Sequence, residues 1–361
     1  MKETEIKSNR RAFFGKITAA TLGLTVLSEL GQGLYANPES LGDGNSTQSV
    51  FAGNDKKFVP VMITPFLSNS KIDYDNLSRL IDFYEAAGAK GYFANCLSSE
   101  MYHLDPQERL ALTKHVVKQV NGKYPVVSTG SFGDTILEKA NFSKKIQDLG
   151  ADATILITSH FAEKQESDAV LISNFEKFFA LTGDMKLGTY ECPSPYKRVL
   201  SPKVYQFLVS NKNMVYHKDT SEDIQGIVEK LRISKGSQLE FYNAHTASGL
   251  KSLQSGGRGM SPISGNFYPE IHSWLCENAN NSSKAKEAIW IQNEIAKMEP
   301  VISSNYPISA KYFLQKRGIP METISRKRKG SLTTEQKAIL DNTYKVFLGW
   351  CKRLNIEAVK G

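Results

Sequence analysis

The stretch "NMVYHKDTSEDI" (213–224) places one amine where an apolar strand ends. Met214, Val215 and Tyr216 read as β-strand, and Lys218 follows just ahead of Asp219 and Thr220. Burial disfavours an ammonium group against its neutral form and so lowers its pKa. A neutral amine attacks a ketone, and the Schiff base that results is an electron sink for making or breaking the adjacent C–C bond. Two readings of Lys218 stand: an amine activated by burial, and a chain that snorkels past the rim of the fold to water. Tyr190, in "TYECPS", ends another apolar run. Its phenol can carry protons to and from a carbinolamine, or fill a core with its hydroxyl bonded at the tip. Ser98 and Ser99, in "CLSSE", offer hydroxyls and adjacent backbone N–H groups to a carboxylate, though serines there also serve ordinary turns. Ser261 in "GRGMSPIS" is a further hydroxyl, His160 and His245 are candidates for substrate contact, and Glu100 reads as a structural group bonding nearby backbone. No clustered ligand set has metal-site spacing, so no metal is expected. The reactive group would be a covalent imine on Lys218, with no separate cofactor.

These residues converge only if their segments share one face of a fold. Short apolar runs recur from Lys57 onward: "FVPVMITPF", "GYFANC", "PVVSTGS", "ATILITS", "KLGTYEC", "NMVYHKD", "QLEFYNA" and "GRGMSPIS". Amphipathic stretches separate them, such as "TILEKANFSKKIQDLG", whose Ile136, Leu137, Phe142, Ile146 and Leu149 fall largely along one helical face. Asp105, Pro106 and Glu108 make a capping-box start, and Ser201 with Pro202 make a similar one. Strands alternating with helices imply parallel pairing through crossovers. Eight such runs close naturally into a (β/α)8 TIM barrel over residues 55–280. An open doubly wound sheet fits less well, because no G-x-G-x-x-G turn follows the first run. The candidate residues then gather at the C-terminal mouth of the barrel, where sites of this architecture lie. Past residue 280 the pattern is helical, giving a C-terminal extension over 281–361.

The first residues read differently. Arg10 and Arg11, followed by Phe13 and Phe14, precede a short apolar stretch from Ile17 to Leu27 and small residues ending near Ala36. That order is an export signal over 1–36, of the twin-arginine type that carries folded proteins, and it predicts a periplasmic location. Its apolar stretch is too short to span a bilayer comfortably, so no integral membrane segment is expected after its removal. Residues 37–54 read as a flexible Gly/Ser/Asn-rich linker. The formal net charge of +8 falls once 1–36 are set aside, since they carry five Lys/Arg against three Glu. The basic run "RKRKG" (326–330) lacks interleaved aromatics, so nucleic acid is not expected as a partner. The four cysteines are scattered without a CxxC pair, and free thiols are expected.

From about Phe58 to Pro320 the chain resembles the dihydrodipicolinate synthase / N-acetylneuraminate lyase family of class I, pyruvate-handling aldolases. "VMITPF" is similar to that family's V-T-P-F, and "KDT" at Lys218 to its K-[DE]-x-[ST]. "YECPS" is similar to Y-N-x-P-S, "SGGRGMSPISGN" to the glycine-rich eighth strand, and "YPISAKYFLQKRGIP" to the C-terminal P-x-x-x-K-x-x-L-x-x-x-G. The resemblance implies a TIM barrel, usually a homo-tetramer and otherwise a homodimer, acting on pyruvate or a related small 2-oxo acid. It implies Lys218 as Schiff-base lysine, Tyr190 as proton relay and Ser98 as carboxylate anchor. Three departures stand out. Leu97 replaces a hydroxyl in G-[TS]-T-G-E, Phe161 replaces a relay tyrosine, and Pro195 stands where synthases carry an arginine, with Lys197 or Arg198 as substitutes. Phe161, Pro195 and the export signal together point away from 4-hydroxy-tetrahydrodipicolinate synthase, whereas Leu97 and Phe161 favour a site that binds without turnover. The exported location suits a lyase that cleaves a 2-oxo sugar acid to pyruvate and an aldehyde. A non-catalytic 2-oxo acid binding protein on the same scaffold is the alternative.

Overall fold

The computed structural model describes residues 55–361, so the proposed signal and linker lie outside the described residues. Eight strands alternate with helices: β1 (Lys57–Phe58), β2 (Tyr92–Phe93), β3 (Val126–Thr129), β4 (Ala153–Ile157), β5 (Leu187–Tyr190), β6 (Met214–Asp219), β7 (Glu240–Asn243) and β8 (Gly259–Met260). All neighbouring pairs are parallel, in the order β1-β8-β7-β6-β5-β4-β3-β2. The ring closes between β2 and the segment after β1, through the parallel bridge Val61–Phe93 and the bond from Phe93 N to the Pro60 carbonyl at 3.0 Å. This is the expected TIM barrel. Parallel strands covered on both faces satisfy their backbone in the ladder and bury side chains inside and outside.

Helices α1 (Tyr74–Ala86), α2 (Pro106–Val120), α3 (Ile136–Asp148), α4 (Asp168–Thr182), α5 (Pro202–Val209), α6 (Ile224–Ser234), α7 (Gly249–Gln254) and α8 (Pro269–Asn278) accompany the strands. The Asp105–Glu108 capping box forms as the sequence predicts, and Ser201 caps α5 by accepting from Val204 N. The buried face of α3 differs from expectation. It is made by Lys139, Ala140, Ser143 and Ile146, while Leu137 is exposed. The reason is close packing against β3 and β4: a Cβ on Gly130 would stand 2.3 Å from the Thr154 methyl and 3.0 Å from Ser143 Cα. Small residues suit that separation better than leucine.

Beyond the barrel, α9 (Ala285–Ser303), α10 (Ile308–Lys316) and α11 (Thr334–Leu354) form the C-terminal extension. They share one hydrophobic cluster with the barrel helices, in which Leu77, Leu80 and Ile271 meet Ile291, Phe313 and Phe347. A second cluster lies under α4–α6, and a third fills the barrel interior. The interior floor is aromatic, with Tyr216 stacked on Tyr242 at 4.6 Å between centroids and edge-on to Phe93 at 6.2 Å. All four cysteines are free and buried. Among the described residues, no helix is long and apolar enough to cross a membrane.

Candidate active site

Register decides which side chains meet at the mouth. At the start of the β5–β6 pair Leu187 lies opposite Met214, but the next pair is Gly188 with Tyr216, so β6 carries one extra residue there. The shift sets Tyr190 opposite Lys218; without it His217 would take that place. Because side chains alternate along a strand, one residue of slip exchanges the inward and outward faces. Gly188 permits this arrangement, since a Cβ there would lie 2.6 Å from Ile155 and 2.7 Å from Tyr216.

Lys218 is therefore aimed inward and is only 3% exposed. Its Nζ stands 4.5 Å from the Tyr190 ring centroid and 5.5 Å from that of Phe93. Burial among these rings lowers its pKa from 10.5 to about 8. Burial pushes the Tyr190 phenol the other way, well above its ordinary value, with the Cys192 thiol beside it. Tyr190 thus stays protonated as a donor next to an amine that is easily neutralised. A cavity of about 380 Å³ opens above the pair, and its lining includes Leu97, Ser98, Ser261, His245, Glu299 and Tyr306.

Of the residues singled out from the sequence, Lys218, Tyr190, Ser98 and Ser261 come together in this cavity. Ser99 does not line it. Its single hydroxyl hydrogen lies between the carbonyls of Ala94 at 2.6 Å and Met62 at 2.7 Å, and its oxygen accepts from Cys96 N at 3.1 Å. Ser99 is thus committed to folding its own loop, which corrects the expectation that it holds substrate. Glu100 is structural, though its partners are not chiefly backbone. It pairs with buried Lys311 at 3.3 Å and accepts from Ser325 Oγ at 2.8 Å and Lys327 N at 2.7 Å. His245 lines the cavity, whereas His160 bonds Tyr102 at 2.9 Å and the Ser131 carbonyl at 2.6 Å outside it. Burial lowers the His160 pKa to about 4, so it is neutral there.

The three departures separate in space. Leu97 faces the cavity; Phe161 stacks on Phe175 at 4.6 Å in the outer core; Pro195 lines no part of the cavity. Lys197 reaches the cavity, bonded to the Thr220 carbonyl and Glu222, both at 2.8 Å. Arg198 instead holds the carbonyls of Glu163 and Glu166, both at 2.9 Å.

Glu299, from α9, and Tyr306, from the turn between α9 and α10, were not singled out from the sequence. The Tyr306 hydroxyl lies beside Ser98 and accepts from Asn266 Nδ2 at 2.9 Å. Tyr306 sits in the quoted run "YPISAK", but nothing in that run says which way it faces.

Behind the mouth, Glu191 just past the end of β5 and His217 and Asp219 on the outer face of β6 form a buried group with metal-ligand chemistry. The Lys230 ammonium already supplies a cation there, bonded to Glu191 and, at 2.6 Å, to Asp219. Burial alone would push the Asp219 carboxyl up, but His217 nearby and the bonded Lys230 ammonium hold it well below its ordinary value.

These features define an eight-stranded parallel barrel carrying a buried, activated lysine beside a phenol at its C-terminal mouth. The chain belongs to the dihydrodipicolinate synthetase family, whose model matches residues 54–346. The 4-hydroxy-tetrahydrodipicolinate synthase of Bacillus subtilis is 25% identical over 285 residues, covering 78% of this chain and 96% of that protein. The synthase of Pseudoalteromonas atlantica is 27% identical over 262 residues, covering 72% and 86%. Among solved structures, YagE of Escherichia coli, a prophage protein of the same family seen in complex with pyruvate, superposes with a TM-score of 0.73. It is 22% identical, with 81% of this chain and 98% of that one covered. Dihydrodipicolinate synthase from Bacteroides thetaiotaomicron gives a TM-score of 0.72 at 21% identity, covering 81% and 98%. At these identities the structural likeness concerns the fold.

Proposed function

We propose that the protein is a Schiff-base carbon–carbon lyase that cleaves a 2-oxo sugar acid to pyruvate and an aldehyde. The observation that carries this reading is the buried Lys218 amine beside the protonated Tyr190 phenol at the base of a cavity. In the proposed reaction neutral Lys218 attacks the 2-oxo carbon, and Tyr190 donates a proton as the carbinolamine loses water. The imine then accepts the electron pair released when the C3–C4 bond breaks, and the substrate's C4 hydroxyl gives up its proton to the Tyr190 phenolate as the aldehyde forms. Protonation at C3 and hydrolysis of the imine release pyruvate and restore the lysine. Ser98, with neighbouring backbone N–H groups, anchors the 2-oxo acid carboxylate.

Borohydride trapping with pyruvate, followed by peptide mass spectrometry, tests the first step. A reduced adduct on Lys218 that Lys218→Ala abolishes is expected. Tyr190→Phe should lower turnover of a cleavable acid about 100-fold or more, the usual scale of general acid–base catalysis. No adduct with pyruvate or any longer 2-oxo acid would sink the reading, and an unaffected Tyr190→Phe would leave a binding protein instead. The relatives named as synthases make condensation of pyruvate with an aldehyde bearing a carboxylate the second reading. Lys197 at the cavity wall is the residue that favours it.

We further propose export by the twin-arginine signal to the periplasm. The four buried free thiols suit a chain that folds first in a reducing compartment. Replacing Arg10 and Arg11 together by lysine should retain the protein in the cytoplasm of a host with that pathway. Equal recovery of both forms from the periplasm would remove the export reading.

A further inference from the structure

The cavity above Lys218 contains a carboxylate that pyruvate chemistry does not need. Glu299, near the end of α9, lines it. Glu299 Oε2 accepts from Thr246 Oγ1 at 2.7 Å; Thr246 Oγ1 lies 2.8 Å from Ser264 Oγ, and Ser264 Oγ lies 2.9 Å from His272 Nε2. The direction of this chain follows from its ends. An ionised carboxylate only accepts, so Thr246 donates to it, and the Thr246 oxygen is left to accept from Ser264. The Ser264 oxygen then accepts from an N–H at His272 Nε2. That agrees with a neutral His272, whose pKa burial lowers to about 3 and whose Nδ1 has no partner. Every hydrogen in the relay points toward Glu299, which is its terminal acceptor.

Thr246 bonds Oε2, and among the described residues no hydrogen bond of normal geometry reaches the other oxygen, Oε1, of this cavity-lining residue. In the same cavity Ser261 Oγ is fully buried beside the Tyr216 hydroxyl, and neither hydroxyl makes a hydrogen bond of normal geometry. Two polar groups therefore await partners beyond the amine. A partly buried carboxylate is costly unless something donates to it. A ligand with an aliphatic tail would bury Glu299 without a donor, and one whose second carboxylate met Glu299, rather than Lys197 or Lys327 elsewhere on the wall, would bring like charges together. A hydroxylated tail meets both groups. The remaining acid at the wall, Glu222, is already occupied by Lys197 at 2.8 Å.

We propose that Glu299 is a specificity residue of the site: its Oε1 receives a hydroxyl hydrogen from the aldehyde half of the substrate, with Ser261 as a second contact, selecting polyhydroxylated 2-oxo acids. This rests on the Schiff-base reading above. Burial, the larger effect, raises the Glu299 carboxyl above its ordinary pKa and the bond from Thr246 offsets it only in part, so a hydroxyl donated by the substrate would supply stabilisation that the protein alone does not give the anion.

The test is borohydride trapping on the whole chain with three acids of equal length: 2-keto-3-deoxygluconate, 2-oxohexanoate and 2-oxoadipate, with pyruvate as reference. Half-saturating concentrations are compared in wild type, Glu299→Gln and Glu299→Leu. Wild type should favour the hydroxylated acid over both others by about tenfold or more, and Glu299→Leu should erase that preference, the scale of a hydrogen bond to a charged group. Glu299→Gln, nearly isosteric, should give a smaller loss and reads the same ratio if the leucine variant fails to fold. A ratio unmoved by both variants, or a wild type that prefers 2-oxoadipate, would overturn the proposal while leaving Schiff-base chemistry intact. Absence of any wild-type adduct with pyruvate and the longer acids would sink that chemistry and this proposal together.

Discussion

At the scale of the residue, Lys218 shows how a site sets its own reactivity against the stability of its fold. Lowering an amine pKa from 10.5 to about 8 means that the folded state disfavours the charge; each unit is ~1.4 kcal/mol, so the cost is of order 3 kcal/mol. The sign is opposite to that of a salt-bridged lysine. Above pH 10.5 both folded and unfolded chains carry a neutral amine and no cost exists. Below about 8 both are protonated and the folded state bears all of it. Lys218→Met keeps the apolar stem and removes the charge. It should form no imine, yet be more stable than wild type at pH 7 by ~2–3 kcal/mol. That gap should close as pH rises from about 8 to 10.5. Urea unfolding at pH 7 and pH 10 measures it, and equal stability at both would contradict the burial account. Lys218, Tyr190 and Ser98 were legible because each ends an apolar run, and strand ends of a barrel share one mouth. Ser99 was misread because adjacent serines look alike in sequence; only the loop's fold reveals which hydroxyl is already bonded. Glu299 left no trace at all, since a lone glutamate late in a helix is ordinarily a solvated one.

At the scale of the element, alternating runs and helices yielded the strand count and the parallel order, because short parallel strands must be separated by crossovers. The extra residue in β6 was invisible, although it is what turns Lys218 rather than His217 toward Tyr190. A bulge of this kind is fixed by packing inside the barrel, where Gly188 and Tyr216 share space, and not by local propensity. The outward face exposed by the same alternation carries His217 and Asp219, and α6 answers them with Lys230. One ammonium thus ties the end of β5, through Glu191, to the end of β6, through Asp219. Lys230→Met would leave two buried carboxylates facing each other without a cation, a change that typically destabilises by ~3–5 kcal/mol. It should also loosen the positions of Tyr190 and Lys218, the neighbours of those acids along each strand. Chemical denaturation checks the first effect, and the pyruvate trapping rate under native conditions checks the second. A variant as stable as wild type would show that the acids are protonated or relaxed toward water.

At the scale of the whole molecule, the C-terminal helices complete the barrel rather than decorate it. α9 supplies Glu299 and Ser303 to the cavity, the turn that follows it supplies Tyr306, and α10 reaches the loop that carries Ser98 through the buried Lys311–Glu100 pair. Arg317, buried and paired with Glu270 of α8, also donates to the Phe267 carbonyl at 2.9 Å and lies 4.8 Å from the Phe83 ring and 4.6 Å from the Phe347 ring. A boundary near residue 280 marks where strands stop in the sequence, yet the hydrophobic cluster runs straight across it. Cutting there would bare the barrel-side partners of Ile291, Ile295, Phe313, Leu314 and Phe347. At ~1.5–3 kcal/mol for each large apolar side chain, that loss rivals the ~5–15 kcal/mol that holds an ordinary domain folded. Glu270 would also lose its guanidinium partner while its surroundings stayed apolar. Residues 55–280 expressed alone should therefore aggregate or melt without a cooperative transition, whereas 55–361 should unfold in one. Far-UV circular dichroism melts of the two fragments decide this. A shorter fragment that melts cooperatively within a few degrees of the longer one, and still traps pyruvate, would show that the barrel closes its own core.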